Sequence, residues 1–132
     1  MPRRHDYHCL TVADVIDETA DTRSFVFAVP APLADCFAYA AGQFCTFRAT
    51  IGGEVILRCY SMSSSPHTGD PFTVTVKRVP GGKMSNWMND ALAAGDTELP
   101  RRVQVHSRVR LVLCHVLLRH NHCEVVLDAK YI

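Results

Sequence analysis

The sequence predicts a mainly β domain, an antiparallel sandwich or barrel with one short α-helix, and three observations lead there. Short runs of β-branched and aromatic residues fill the first eighty positions and are set apart by Pro, Gly, Asp and Ser clusters. One run, Phe72-Thr73-Val74-Thr75-Val76-Lys77, alternates apolar and polar residues, the period of a strand with one buried and one wet face. Between two other runs, Ile51-Gly52-Gly53-Glu54 reads as a tight hairpin turn, because glycine accepts the positive φ such turns demand.

In chain order the expected strands cover residues 10–16, 22–29, 43–50, 54–61 and 72–79. A helix is expected over about 85–94, with Ser85 able to cap its first turn and Gly95 placed to end it. Beyond it, 108–113 and 124–127 offer two further β-like runs. Composition changes there as well. Residues 1–100 hold 8 Lys plus Arg against 11 Asp plus Glu, whereas residues 101–132 hold 6 against 2, together with four of the seven histidines and no glycine. The chain is therefore divided into a β domain at 1–98 and an atypical tail at 99–132, which either supplies a last strand, over Val103 to Leu113, or is an abnormal, frame-shifted end.

With 132 residues, 48% hydrophobic and 20% charged, the chain has the make-up of one globular domain and not of a disordered, collagen-like or coiled-coil protein. A net charge of +1 gives no field to attract nucleic acid or an anionic membrane, so neither is expected as a partner. No apolar stretch follows Arg3-Arg4, and the most apolar run, 111–118, is far below the roughly 20 residues of a membrane span. A cytoplasmic protein is expected. The six cysteines then read as free thiols of a reducing compartment and not as a disulfide framework.

Three local signals carry chemistry: Ala41-Gly42-Gln43-Phe44 entering a strand, Arg58-Cys59-Tyr60-Ser61 closing one, and Val76-Lys77-Arg78 followed by Gly81-Gly82-Lys83-Met84-Ser85 at the helix start. On an alternating strand Arg58 and Tyr60 share a surface while Ser61 points elsewhere, which suits a ligand with an anionic part and a flat part. A guanidinium presents paired donors matched to phosphate oxygens. The plainer account is a solvated Arg58 beside a core Tyr60. Gly81 and Gly82 allow close backbone approach, and the N–H groups of the first helical turn with the helix dipole form an anion site, to which Lys83 and Ser85 add donors. Here the plainer account is a turn and a cap.

Taken in order, these signals resemble the FAD-binding domain of the ferredoxin–NADP reductase-like flavoenzymes, and within them the reductase components that pass electrons from NAD(P)H to ferredoxin-type centres and oxygenases. The family's Arg-x-Tyr-Ser is matched by Arg58, Tyr60 and Ser61, its next flavin-contacting strand by Val76, Lys77 and Arg78, and its Gly-x-x-Ser by Gly82, Lys83, Met84 and Ser85. The resemblance covers residues from about Tyr7 to Gly95. It implies a six-stranded Greek-key β-barrel, and FAD as cofactor. It further implies that Arg58 and the amides of Lys83, Met84 and Ser85 hold the diphosphate, with Gly82 giving them room. Tyr60 packs on the isoalloxazine ring or ribityl chain, and backbone groups of Cys59, Val76 and Lys77 fix the pyrimidine edge and ribityl hydroxyls. Ser61, the catalytic candidate, hydrogen-bonds near flavin N5, the hydride-accepting atom.

The tail departs from the family pattern. A dinucleotide fold needs glycine where backbone meets pyrophosphate, and residues 96–132 have none, so a nicotinamide-binding domain is expected to be missing and the chain incomplete for turnover. A plant-type iron–sulfur Cys-x4-Cys-x2-Cys spacing is also absent, so onward electron transfer requires a ferredoxin-type or oxygenase partner. Cys114-His115 and His120-Asn121-His122-Cys123 group ligand-type residues in an unfamiliar spacing. No metal site is assigned to them. The alternative function is a non-enzymatic β-barrel binding module that captures metal through this tail.

Overall fold

The computed structural model describes residues 7–40, 43–65, 67–97 and 103–106, and the strand backbone at 110–111, 117–119 and 122–124. In order the elements are β1 (Tyr7–Cys9), β2 (Thr11–Thr19), β3 (Thr22–Ala28), a 3-10 helix (Ala31–Phe37), β4 (Gln43–Ile51), β5 (Glu54–Ser61) and β6 (Thr73–Lys77). There follow α1 (Lys83–Ala91), β7 (Val103–His106), β8 (Arg110–Leu111), β9 (Leu117–Arg119) and β10 (His122–Glu124). Every strand pairing is antiparallel.

One sheet runs β1-β7-β4-β5 with β8 also on β4, a second runs β2-β3-β6, and β9 and β10 form a separate pair. The first two face a common core. Strand alternation sends Cys45, Phe47 and Ala49 of β4, Ile56 of β5, and Val103 and Val105 of β7 inward from one side. Val12, Phe25, Phe27, Val74 and Val76 meet them from the other, and Met84, Met88 and Leu92 enter from the helix region. Phe27 is the hinge of this packing, with ring centroids 5.7 Å from Phe47 and 6.3 Å from Phe72.

The sheets meet at two corners. At one, β1 runs into β2 through the buried Leu10. At the other, β5 and β6 join only beyond the end of β5, through the Met62–Val74 bridge and Ser63 N–H donating to the Thr73 carbonyl at 2.8 Å. The expected single closed six-stranded barrel is thus not what the hydrogen bonds trace. At this corner α1 packs against β4, β5 and β6 and buries Met84 and Met88 in the core, so the helix and not further β5–β6 pairing covers it.

The Ile51-Gly52-Gly53-Glu54 turn forms as expected, with Ile51 opposite Glu54 and φ of 57° and 80° at the glycines. The helix is a correction. It spans Lys83–Ala91 and not 85–94, and Gly82, not Ser85, is its N-cap. Ser85 lies in the first turn with its Oγ accepting the Val79 N–H at 3.0 Å. Gly95 stands beyond the helix, where a φ of 93° lets its N–H donate to the Val12 carbonyl at 2.7 Å. The 3-10 helix has no counterpart in the sequence reading. Pro30 and Pro32 set its start, since proline's fixed φ suits a first turn.

In the tail, β7 lies between β1 and β4, and β8 falls inside the expected 108–113 run. Of the 124–127 run only Glu124 is described, at the end of β10. Cys114, His115, His120 and Asn121 lie outside the described residues, as do Ala41, Gly42 and Pro66. No cluster of metal-ligating residues occurs among the described residues.

Candidate anion-binding cleft

The open corner between β5 and β6 is a cleft of about 370 Å³, lined by Arg58, Cys59 and Tyr60, by Lys77, by the 79–82 loop and by Lys83, Met84 and Ser85. Eight of the ten residues expected to bind the cofactor or act in catalysis therefore meet in one place. Three different elements supply them, so the meeting is a property of the fold and not of local sequence.

β5 presents Glu54, Ile56, Arg58 and Tyr60 on one face by simple alternation. Ile56 is core, Tyr60 packs edge-on to Phe47 with centroids 5.6 Å apart, and Arg58 comes between them at the cleft. Burial pushes the Tyr60 hydroxyl up to about 12, against the opposing pull of the Arg58 charge, so the ring is a neutral flat surface at ordinary pH. Arg58 makes no ion pair among the described residues; its Nη1 donates to the Leu57 carbonyl at 2.7 Å.

The helix mouth is built by one loop. Gly81 at φ 73° reverses the chain, Gly82 N–H donates to the Val79 carbonyl at 2.8 Å, and Asn86 Nδ2 donates to the carbonyls of Val79 (2.9 Å) and Gly82 (2.6 Å). A Cβ on Gly82 would stand 2.6 Å from Ser85 Oγ and 3.0 Å from the Val79 carbonyl oxygen, so only glycine fits. Helix geometry leaves the first-turn N–H groups of Lys83, Met84 and Ser85 without intrahelical acceptors, at the positive end of the dipole. With the guanidinium of Arg58 and the ammonium groups of Lys77 and Lys83, the cleft offers an anion site beside an aromatic face.

Two of the expected residues lie elsewhere. Ser61 ends β5 on the strand face opposite Tyr60, exposed and outside the cleft lining. Val76 has a fully buried side chain, and its carbonyl accepts Asn89 Nδ2 at 3.1 Å. Sequence reasoning missed Val79 and Pro80 in the lining. Their signal was only adjacency to the glycine pair.

A sheet corner that opens beside a glycine-cradled helix mouth, with an arginine and a tyrosine on the facing strand, defines a nucleotide-binding β domain. The sequence profile of the oxidoreductase FAD-binding domain family matches residues 9–99, and the chain belongs to that family. It is 54% identical over 89 residues, 67% of its length, to the ferredoxin reductase component of a 3-ketosteroid-9-alpha-monooxygenase from Rhodococcus rhodochrous, and covers 25% of that protein. It is 43% identical over 104 residues, 79% of its length, to a glycine betaine monooxygenase reductase subunit from Pseudomonas aeruginosa, covering 26% of it. A ferredoxin NADP+ reductase from Neisseria gonorrhoeae solved with bound FAD and NADP shares the fold, with a TM-score of 0.60 at 18% identity over 83% of this chain and 39% of that one. The chain spans about a quarter of the length of the two reductase relatives. FAD is the cofactor of the family, and the cleft fits its diphosphate by the Gly82 cradle and by a donor set of guanidinium, ammonium and amide groups.

Proposed function

We propose that the cleft holds FAD and that the domain serves NAD(P)H-dependent electron transfer to a ferredoxin-type or oxygenase acceptor. The observation that carries this is the convergence of Arg58 and the Lys83–Ser85 amides on one cleft. In this reading Arg58 and those amides grip the diphosphate, and Tyr60 packs against the isoalloxazine ring or ribityl chain. Backbone groups of Cys59 and Lys77 hold the pyrimidine edge and ribityl hydroxyls, and Ser61, at the end of β5 just past the cleft lining, donates a hydrogen bond near flavin N5 where the ring extends beyond Tyr60. FAD, when bound, supplies the hydride and single-electron chemistry. The chain's own part is to orient the ring, neutralise the diphosphate and keep water from the face that Tyr60 covers.

The acceptor is proposed from the relatives, whose names make them reductase partners of monooxygenases. Taken as two halves of one bent strand, β1 and β2 turn the order β2-β3-β6 and β5-β4-β7-β1 into the six-stranded Greek-key barrel of the family, opened at the cleft. A cytoplasmic setting is proposed from the sequence reading of the cysteines as thiols of a reducing compartment. No helix among the described residues is long and apolar enough to cross a membrane. The 132 residues by themselves are proposed to take up FAD without turning over NADH, a reading supported by their spanning only about a quarter of the length of the reductase relatives.

The test is to load the purified chain with FAD, desalt it, and record the visible absorbance it retains. Retained flavin is expected, and Arg58→Ala is expected to weaken binding about tenfold to a hundredfold, the worth of a charge-assisted contact. A wild-type chain that keeps no flavin, or an Arg58→Ala variant that binds as well as wild type, overturns the assignment.

A further inference from the structure

Each cationic side chain of the cleft already has an acceptor within the protein. Arg58 rests on the Leu57 carbonyl, Lys77 Nζ stands 4.0 Å from Asp21 Oδ2, and Lys83 Nζ donates to Glu54 Oε2 at 2.5 Å. Of these only the last sets two full charges in direct contact, and it ties the first residue of α1 to the first residue of β5. Glu54 occupies the same strand face as Arg58, so a carboxylate sits beyond the guanidinium at the hairpin end of the cleft, one lysine side chain away from the helix mouth.

We propose that Glu54 is an internal competitor for the diphosphate: in the cofactor-free domain its carboxylate holds the Lys83 ammonium, and so it sets how tightly the cleft binds a nucleoside diphosphate group. The proposal rests on the FAD reading above. Carboxylate and phosphate oxygens are the same kind of acceptor for an ammonium, and the flexible lysine stem, with three rotatable donors, reaches either. Both partners are more than half exposed, 53% for Lys83 and 59% for Glu54, so the existing pair is weak and readily exchanged. Salt screens the attraction between the two charges and so weakens the competition. Glu54 acts through Lys83 as a positioning residue and makes no contact with the cofactor itself.

The experiment titrates the full chain, its Glu54→Gln and Lys83→Met variants and the double variant, with ADP and with FAD, by calorimetry at low and high salt. Thermal melts of the cofactor-free proteins accompany the titrations. Glu54→Gln is expected to bind both ligands about two- to fivefold more tightly, the worth of an exposed ion pair, with the gain shrinking at high salt and the melting temperature of the cofactor-free protein lowered by about the few degrees that the lost pair is worth. In the Lys83→Met background the gain is expected to be largely absent. Unchanged or weaker binding by Glu54→Gln, or an equal gain without Lys83, overturns the proposal while leaving the FAD assignment standing. A wild-type chain that binds neither ligand overturns both.

Discussion

Gly82 and Gly81 are neighbours in one loop, yet the structure gives them different tasks. At Gly82 a methyl group collides with Ser85 Oγ and with the backbone oxygen of Val79, so Gly82→Ala is expected to destabilise by about 1–3 kcal/mol and to abolish flavin retention, because the collision displaces the helix mouth. Gly81 has open space around it and only a positive φ, so Gly81→Ala is expected to lower stability by about 1 kcal/mol and leave retention largely intact. Urea melts with desalting assays on both variants separate the two effects. Buried ionisable groups give a second outcome at this scale. Burial pushes the Cys45 thiol from 9.0 and the Tyr60 hydroxyl from 10.0 up to about 12. Because both are neutral when protonated and the unfolded chain ionises first, their stabilising effect is complete below pH 9 and is lost as pH rises to about 12. Unfolding free energy is expected to fall across that window, by up to about 1.4 kcal/mol per pH unit for each group, and Cys45→Ala is expected to flatten its lower part.

Helix α1 is held to the β6 strand by Asn89, a nearly inaccessible side chain whose Nδ2 donates to the carbonyls of Val76 (3.1 Å) and Ser85 (2.8 Å). Asn89→Leu fills the same space but strands the Val76 carbonyl, and is expected to destabilise by about 1–3 kcal/mol and to loosen FAD, since α1 carries the first-turn amides. Melting curves and FAD titration of that variant check this. Asn89 also shows where sequence reading stops. Within one element the period-2 pattern gave the buried face of β6, and the glycine pair marked the loop that opens into α1. Ser85, however, looked like a cap because Ser is a favoured capping residue. Its hydroxyl is instead used by Val79, 6 positions earlier, and no local pattern reveals a partner supplied by a loop. The same limit applies to Arg58 and Lys83: each motif was visible, while their shared cleft exists only because two sheets fail to zip together at the β5–β6 corner.

At the scale of the whole molecule the least legible strand is the one that holds the first sheet together. β7 pairs with β1 on one side and β4 on the other, and both its inward residues, Val103 and Val105, are nearly or fully buried in the core. Little in the sequence marks this strand beyond the alternative that 103–113 supplies a last one, because a four-residue Val-Gln-Val-His alternation is too short to stand out and follows a change in charge and glycine content. A chain ended at residue 99, where the family match ends, loses the only strand that β1 is paired with among the described residues. It also bares the backbone of β4 at Phe47 and Ala49, an unpaired edge of the kind that templates aggregation. Such a truncation is expected to be aggregated or unfolded, with poorly dispersed amide resonances and no flavin retained. The single substitution Val105→Asp, which puts a charge at a fully buried site, is expected to do the same without shortening the chain. A folded, FAD-binding 1–99 chain would show that β1 and β4 hold their places without β7, and that the cleft depends on the β2-β3-β6 sheet, β4–β5 and α1 alone.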